Sequence, residues 1–154
     1  MGTKHYLISS QENYSGVGLA SRPLSTNDTT LSSSKIKKPI FGYELILDLS
    51  GCDLSIMSSK KKLTEYVNTL CKLIKMKKYG KAQLPYFGLD KPFTKGYSLL
   101  QFIETSSITG HFSEHWQKSY INIFSCKKYD HELAKNFTKE FFKATSIKST
   151  FLVR

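Results

Sequence analysis

Hydrophobic and polar positions alternate along the chain with two different periods, and these periods predict the elements of the fold. From residue 41 to 49 apolar and polar residues alternate with a period of two, which is typical of a strand with one buried face. From residue 60 to 76 the apolar residues follow a period near 3.6, which predicts an amphipathic helix with Ser59 in the capping position. Further strand patterns cover 83–87, 97–105, 108–112, 119–126 and 147–153, and a second helical pattern covers 130–144.

Without the short segment 83–87, the predicted order of elements is β-α-β-β-β-α-β. The mostly short connections favour a mainly antiparallel sheet with two helices on one face, which is an α+β two-layer sandwich. The other face of such a sheet needs a cover, and a partner subunit can supply it. Residues 1–38 are rich in Ser, Thr, Asn and Gly without a sustained period, so we expect a flexible leader before a folded domain at 39–154.

Composition agrees with one folded domain and narrows the class of protein. Hydrophobic residues make up 40% of the 154 residues and aromatic residues 13%, which is enough to bury a core. The 23 Lys and Arg against 12 Asp and Glu give a net charge of +11, a balance that can attract nucleic acid, an anionic membrane or an acidic partner. The lysine clusters, such as 60–62, lie where the polar side of a helix would be. We interpret them as a solvated face and expect neither nucleic-acid nor membrane binding.

The cysteines indicate a reduced protein without a metal site. Cys52, Cys71 and Cys126 form no CxxC pair and have no histidine at zinc-ligand spacing. No apolar run approaches the roughly 20 residues that are needed to span a bilayer. We therefore predict a cytoplasmic protein with free thiols and no bound metal.

Residues whose side chains can take part in a reaction concentrate in the segment 96–126. Ser98 is followed eight residues later by Ser106, His111 lies five residues beyond Ser106, and Cys126 lies twenty residues beyond it. At these spacings the segment resembles the short bacterial and archaeal S-adenosylmethionine decarboxylases, which are pyruvoyl-dependent proenzymes. The first predicted strand and the Gly-Cys-Asp turn after it also look like the opening of that family, so that the resemblance covers about residues 41 to 126.

The resemblance implies a chain that cleaves itself. In this family the hydroxyl of a precursor serine attacks the preceding carbonyl, an ester forms, and β-elimination breaks the chain; here Ser106 would attack the carbonyl of Thr105. Decarboxylation leaves negative charge on the α-carbon of an amino acid, and the pyruvoyl carbonyl made from Ser106 forms the Schiff base that takes up this charge. By the same resemblance, Ser98 supports the ester stage, His111 removes the α-proton during elimination, and Cys126 reprotonates the product carbon.

Some positions depart from the family pattern, so the sequence leaves alternatives for the identity of the substrate. Thr105 stands where the family usually has Glu, and Glu114 is displaced by one position from the acid that is associated with the substrate ribose. Phe41 and Phe93 are candidates for stacking on an adenine, with an ordinary core role as the alternative. The first interpretation is a decarboxylase of S-adenosylmethionine, which makes the aminopropyl donor for spermidine synthesis. The alternatives are a pyruvoyl-dependent decarboxylase of ornithine or arginine, and a non-cleaving homologue that acts as a binding protein.

Geometry adds a prediction about assembly. If residues 98–106 form one extended strand, its ends are roughly 26 Å apart at about 3.3 Å per residue, so Ser98 and Ser106 of one chain cannot meet. Two chains can satisfy both requirements. We therefore predict a homodimer in which each site combines Ser106 and Cys126 of one protomer with Ser98 and His111 of the other.

Overall fold

The structure is a computed structural model that describes residues 39–88 and 90–154, so the leader predicted for residues 1–38 lies outside the described residues. Within the described ranges the chain forms seven antiparallel strands, three α-helices and a short 3-10 helix at Pro92–Thr94. This arrangement confirms the predicted α+β class. The strands are β1 (Tyr43–Ser50), β2 (Lys78–Gln83), β3 (Tyr86–Phe87), β4 (Gly96–Ile103), β5 (Ser106–Ser113), β6 (Lys118–Ser125) and β7 (Ser146–Val153), and the helices are α1 (Leu54–Met57), α2 (Lys60–Leu73) and α3 (His131–Phe141).

The sheet has the strand order β2-β4-β5-β6-β1-β7, with β3 paired to the beginning of β4. Consecutive hairpins join β4, β5 and β6, and β1 lies between β6 and β7. Along β1 the alternation predicted from the sequence is realised, because Leu45, Leu47 and Leu49 are fully buried. Helix α2 contacts β4, and α3 contacts β1 and β7, so the helices cover the face that carries these leucines.

The two long helices pack against each other through the stripe that their periodicity predicts. Helix α2 buries Leu63, Tyr66, Val67, Leu70 and Cys71. The Tyr66 hydroxyl lies 3.0 Å from Oγ1 of the buried Thr138 on α3, which satisfies both polar groups inside the core. The predicted cap of α2 is confirmed, since the Ser59 hydroxyl accepts a hydrogen bond from the backbone N–H of Lys62.

The opposite face of the sheet carries apolar side chains that remain exposed in this chain. Cross-strand pairing aligns Phe102, Phe124 and Leu152 in one row across β4, β6 and β7. Phe102 and Leu152 expose 48% and 41% of their surface. Ser107 and Glu44 lie between them in the same row, so this face, which the helices do not cover, carries both apolar and polar side chains. That a partner covers this face stays a prediction.

The predicted order β-α-β-β-β-α-β is incomplete, because the structure adds the one-turn helix α1 and the short strands β2 and β3. Strand β3 lies within the segment 83–87, whose strand pattern that order leaves out. Strand β2 has almost no buried positions and its register against β4 shifts, so its sequence lacks the alternation that marks a half-buried strand. Helix α1 is a single turn capped by the carboxylate of Asp53, too short to show a helical period. The first long helix ends at Leu73, three residues before the predicted end.

The prediction of one strand through residues 98–106 is wrong, because the chain reverses direction within it. Ile103 ends β4 and pairs with Ser106, the first residue of β5, so that Glu104 and Thr105 form a two-residue turn. Two-residue hairpin turns favour Gly, Asn or Asp, and neither turn residue here belongs to that set. The turn therefore carried no recognisable signal in the sequence.

Candidate active site

Ser98 and His111 meet across the first hairpin of the sheet. They are direct cross-strand partners on β4 and β5, and the Ser98 Oγ lies 3.0 Å from the His111 Nδ1, within hydrogen-bond distance. Both alternate with buried core residues along their strands, so they lie on the face of the sheet that the helices leave uncovered. The backbones of β4 and β5 approach each other closely at this end. This approach requires glycine at position 96, because a Cβ there would lie 1.7 Å from the carbonyl oxygen of Phe112.

Ser106 and Cys126 meet at the other end of the same hairpin. Cys126 follows the last residue of β6, and its backbone N–H donates to the Ser106 Oγ at 2.9 Å. The Ser106 hydroxyl donates in turn to the carbonyl oxygen of Thr105 at 2.5 Å, and the Cys126 thiol donates to the same oxygen at 3.2 Å. The nucleophile named in the sequence analysis thus lies against the carbonyl that it would attack, and a second polar hydrogen polarises that carbonyl.

The four candidate residues form two pairs at opposite ends of the hairpin rather than one cluster. Ser106 and His111 are separated by five residues on the extended strand β5, which corresponds to about 17 Å. The premise of the sequence argument was wrong, since residues 98–106 include a turn. The conclusion that Ser98 and Ser106 of one chain cannot meet nevertheless holds. Ser98 pairs with His111 and is therefore as remote from Ser106 as His111 is.

The three candidate substrate-binding residues divide between the same two ends. Phe41 is 70% exposed and stacks on Phe124, near the end of β6 that leads to Cys126. Phe93 stacks on Trp116 at a ring distance of 5.2 Å, at the end that carries Ser98 and His111. Glu114 lies at that end too, where it accepts a hydrogen bond of 3.0 Å from the hydroxyl of Tyr86.

Comparison with known proteins agrees with the fold and with the family that the sequence resembles. The sequence model described as S-adenosylmethionine decarboxylase matches residues 43–154, a range that includes all seven strands of the described chain and both pairs of candidate residues. The chain belongs to the S-adenosylmethionine decarboxylase family. Its fold is similar to the crystal structure of the adenosylmethionine decarboxylase from Aquifex aeolicus VF5, with a TM-score of 0.63 and 14% identity over 75% of this chain and 91% of that chain. No curated protein matches the sequence significantly.

Two features of this family member were missed in the sequence. The first is Trp116, which is half exposed and stacks on Phe93 but was not named as a candidate. The available signal was an aromatic residue two positions after Glu114. A cavity of about 460 Å³ also adjoins Ser106, with the exposed ring of Tyr79 on its wall. Tyr79 was not recognised because it belongs to β2, which has no strand signature. The cavity is lined by Tyr79, Phe102, Ile103, Glu104, Thr105 and Ser106.

The cysteines of this decarboxylase-family chain are all free, and their surroundings separate them. Burial raises the pKa of the Cys52 thiol, and burial raises the pKa of Cys71 to about 11. Both therefore stay protonated near neutral pH and behave as small core residues. Cys126 is partly exposed and is the cysteine that contacts the candidate scissile bond.

Three further features of the described ranges concern metal ions, membrane spans and a second cavity. No group of three or more His, Cys, Asp or Glu side chains there is arranged to hold a metal ion. None of the helices in those ranges combines the length and apolar character of a membrane span. A larger cavity, of about 620 Å³, lies between the end of α2 and the segment 127–133 at the start of α3, and it is lined by none of the candidate residues.

Proposed function

We propose that the chain is a self-processing, pyruvoyl-dependent decarboxylase of S-adenosylmethionine that makes the aminopropyl donor for spermidine synthesis. The observation that carries this proposal is the set of contacts around Ser106. Its hydroxyl lies 2.5 Å from the carbonyl oxygen of Thr105 and accepts a hydrogen bond from the backbone of Cys126. A serine hydroxyl that is held beside the preceding carbonyl group supports an attack on that carbonyl, and family membership supports the substrate class.

The residues around the bond fit the formation of a pyruvoyl group at position 106. Attack by the Ser106 hydroxyl places negative charge on the carbonyl oxygen of Thr105, and the Cys126 thiol donates to that oxygen. After cleavage, the pyruvoyl group would supply the carbonyl that takes the substrate's amino group and draws electrons from its α-carbon. The Cys126 thiol stays beside position 106 and can return a proton to the product carbon.

His111 cannot serve Ser106 of its own chain, so the proposal includes a dimer with shared sites. Proton transfer needs a separation of about 3 Å, whereas the two residues lie about 17 Å apart along β5. The pair Ser98 and His111 lies on the sheet face that the helices do not cover, beside exposed apolar side chains. A second copy on this face would cover it and could bring its own Ser98 and His111 to the Ser106 of the first.

The same assembly accounts for the candidate substrate-binding residues. Phe41 lies at the end with Ser106, whereas Phe93 and Glu114 lie at the end with His111. A shared site would therefore place Phe41 of one protomer near Phe93 of the other, where the two exposed rings can enclose an adenine. Glu114, already oriented by the Tyr86 hydroxyl, would then be available to the ribose.

Intact-mass spectrometry of the purified protein tests the proposal first. We expect one fragment that ends at Thr105 and a second that begins with a blocked residue 106. Ser106→Ala should abolish cleavage, while Ser107→Ala, at the next position of the same strand, serves as the matched control and should leave it in place. A wild-type chain that stays at its full mass of 17.6 kDa would contradict the proposal and favour a non-cleaving binding protein.

Release of labelled carbon dioxide then distinguishes the substrates. We expect release from S-adenosylmethionine and none from ornithine or arginine. Because Phe41, Phe93 and Glu114 are assigned to the nucleoside, replacing each by Ala should raise KM for S-adenosylmethionine. Release from ornithine or arginine instead would assign the same cleavage chemistry to a different decarboxylase.

A further inference from the structure

The turn that carries the candidate scissile bond has a conformation that its own residues disfavour. Thr105 has a φ of 63°, whereas Glu104, the other turn residue, is not among the residues with positive φ. A turn with positive φ at its second central position selects Gly or Asn there, and a β-branched residue in this region is a genuine outlier. The other described non-glycine residues with positive φ are unbranched at Cβ, namely Lys75, Gln117 and Lys143. The backbone of Thr105 is therefore strained.

Contacts on both sides of Thr105 hold the strained conformation in place. On the N-terminal side, the backbone N–H of Glu104 donates to the carbonyl of Lys77 at 2.9 Å, and the two side chains form an ion pair at 3.3 Å. On the C-terminal side, Ser106 is fixed by the 2.9 Å hydrogen bond from Cys126. Strained residues persist where the surrounding structure determines their conformation, and here the residues just before β2 and just after β6 do so. The turn cannot relax without breaking these contacts.

We propose that the strained backbone of Thr105 accelerates cleavage of the chain, which makes Thr105 a positioning residue of the processing reaction. This inference rests on the proposed function. It assigns a role to the residue that departs from the family pattern, and that role depends on the conformation of the residue rather than on its polar group.

The steps of processing show where the strain is released. The Ser106 Oγ bonds to the carbonyl carbon of Thr105, its proton moves to the Ser106 nitrogen, and the C–N bond breaks to give an ester and a free amine. Loss of the Cα proton of residue 106 then breaks its Cβ–O bond, which leaves a carboxylate on Thr105 and a dehydroalanine at 106. That residue takes up water and loses ammonia to become pyruvoyl. The first step replaces the rigid planar amide, and the second frees Thr105 from residue 106 altogether.

Substitutions at position 105 vary the strain without changing the nucleophile. Thr105→Asn and Thr105→Gly introduce residues that accept positive φ, so each should slow cleavage by roughly tenfold, the factor that corresponds to the usual cost of a left-handed L-residue. Thr105→Val is the matched control, because it keeps the branched Cβ and removes the hydroxyl that donates to the carbonyl of Glu104 at 2.7 Å. It should cleave within about twofold of wild type. Rates are measured by intact mass at intervals after synthesis in a cell-free system.

A second measurement detects the strain without cleavage. In the uncleavable Ser106→Ala chain the Glu104 contacts with Lys77 and the backbone pairing of Ile103 with residue 106 still hold the turn. There Thr105→Asn should raise the melting temperature by about 3 °C or more, while Thr105→Val should not. An unchanged melting temperature, or Asn and Gly variants that cleave as fast as wild type, would overturn the inference and leave the proposed function intact. A wild-type chain that does not cleave at all would overturn both, so the two failures are distinguishable.

Discussion

Mixed dimers test whether each active site is shared between two chains. His111→Ala removes one member of the pair at the Ser98 end, and Cys126→Ala removes one member of the pair at the Ser106 end. Within one chain His111 and Ser106 lie about 17 Å apart on β5, which exceeds the reach of a proton transfer several-fold. If a partner supplies the missing pair, a dimer of the two variants has both substitutions in one site and none in the other.

The expected activity follows from this count of sites. Each variant alone should be inactive. The mixed dimer, purified through two different affinity tags, should have half the activity of wild type, because one of its two sites is intact. An unseparated mixture with equal amounts of the two chains should reach about a quarter, since half of its dimers are mixed. If each site lay within one chain, every site would carry one substitution and no activity would return.

Cleavage provides a second readout of the same experiment. Only the His111→Ala chain keeps Ser106 and Cys126, and its partner supplies an intact Ser98 and His111, so only that chain should be cleaved in the mixed dimer. The matched control is a mixed dimer of one His111→Ala chain and one Ser98→Ala chain. Both substitutions then fall in the same pair, and no site is restored. Absence of activity and cleavage in the first combination, or recovery in the control, would refute the shared-site arrangement.

Three further predictions concern the scaffold, and each uses the uncleavable Ser106→Ala chain. Burial raises the pKa values of Cys52 and Cys71, so iodoacetamide at pH 8 should spare both while it modifies the partly exposed third cysteine; peptide mapping that finds them alkylated in the folded chain would contradict this. Gly51→Ala should lower the free energy of unfolding in urea by about 2 kcal/mol or more, because φ is 64° and the new Cβ would lie 2.3 Å from a threonine hydroxyl; Gly80→Ala, with φ of 67° and open space, should lower it less. Hydrogen bonds from a neighbouring serine and an ion pair with a lysine lower the pKa of Asp53 to about 2, so its stabilising effect is present above about pH 4 and is lost as the pH falls towards 2. Asp53→Asn should therefore reduce the fall in melting temperature over that range, and an unchanged profile would contradict the assignment.

Much of the fold could be predicted because burial imposes a period on the sequence. The leucines of β1 and the stripe of α2 each face one dense core, so their spacing records the geometry directly. Strand β2 could not be predicted in this way, because it lies at the edge of the sheet, is almost entirely exposed and contains Gly80 at a positive φ. An edge strand of this kind is held by backbone pairing with β4, which any sequence can provide.

The candidate residues could be named from their spacing, but not the way in which they pair. The missing step was the turn at Glu104 and Thr105, where no Gly, Asn or Pro indicates a reversal. A strained residue at that position hides the turn from sequence patterns, because those patterns record the residues that turns prefer. The positive φ of Thr105, a residue that turns do not favour at this position, is therefore also the feature to which we assign a role in cleavage.

With the hairpin in place, each spacing in the motif describes a strand register. Ser98 lies five residues before Ile103 and His111 lies five residues after Ser106, so the pairing of Ile103 with Ser106 brings Ser98 opposite His111. Adding or removing one residue in the turn would shift this register and place one of the two side chains on the wrong face of the sheet.

The twenty-residue spacing from Ser106 to Cys126 has the same origin. The second hairpin pairs Ser107 with Phe124, which brings the end of β6 beside Ser106 and leaves Cys126, just beyond the strand, next to its hydroxyl. Each hairpin therefore fixes one pair, and neither hairpin brings the two pairs together. The two pairs lie at opposite ends of the hairpin, and the helices leave the face that carries His111 uncovered. This separation is the reason for the proposal that a second copy completes the site.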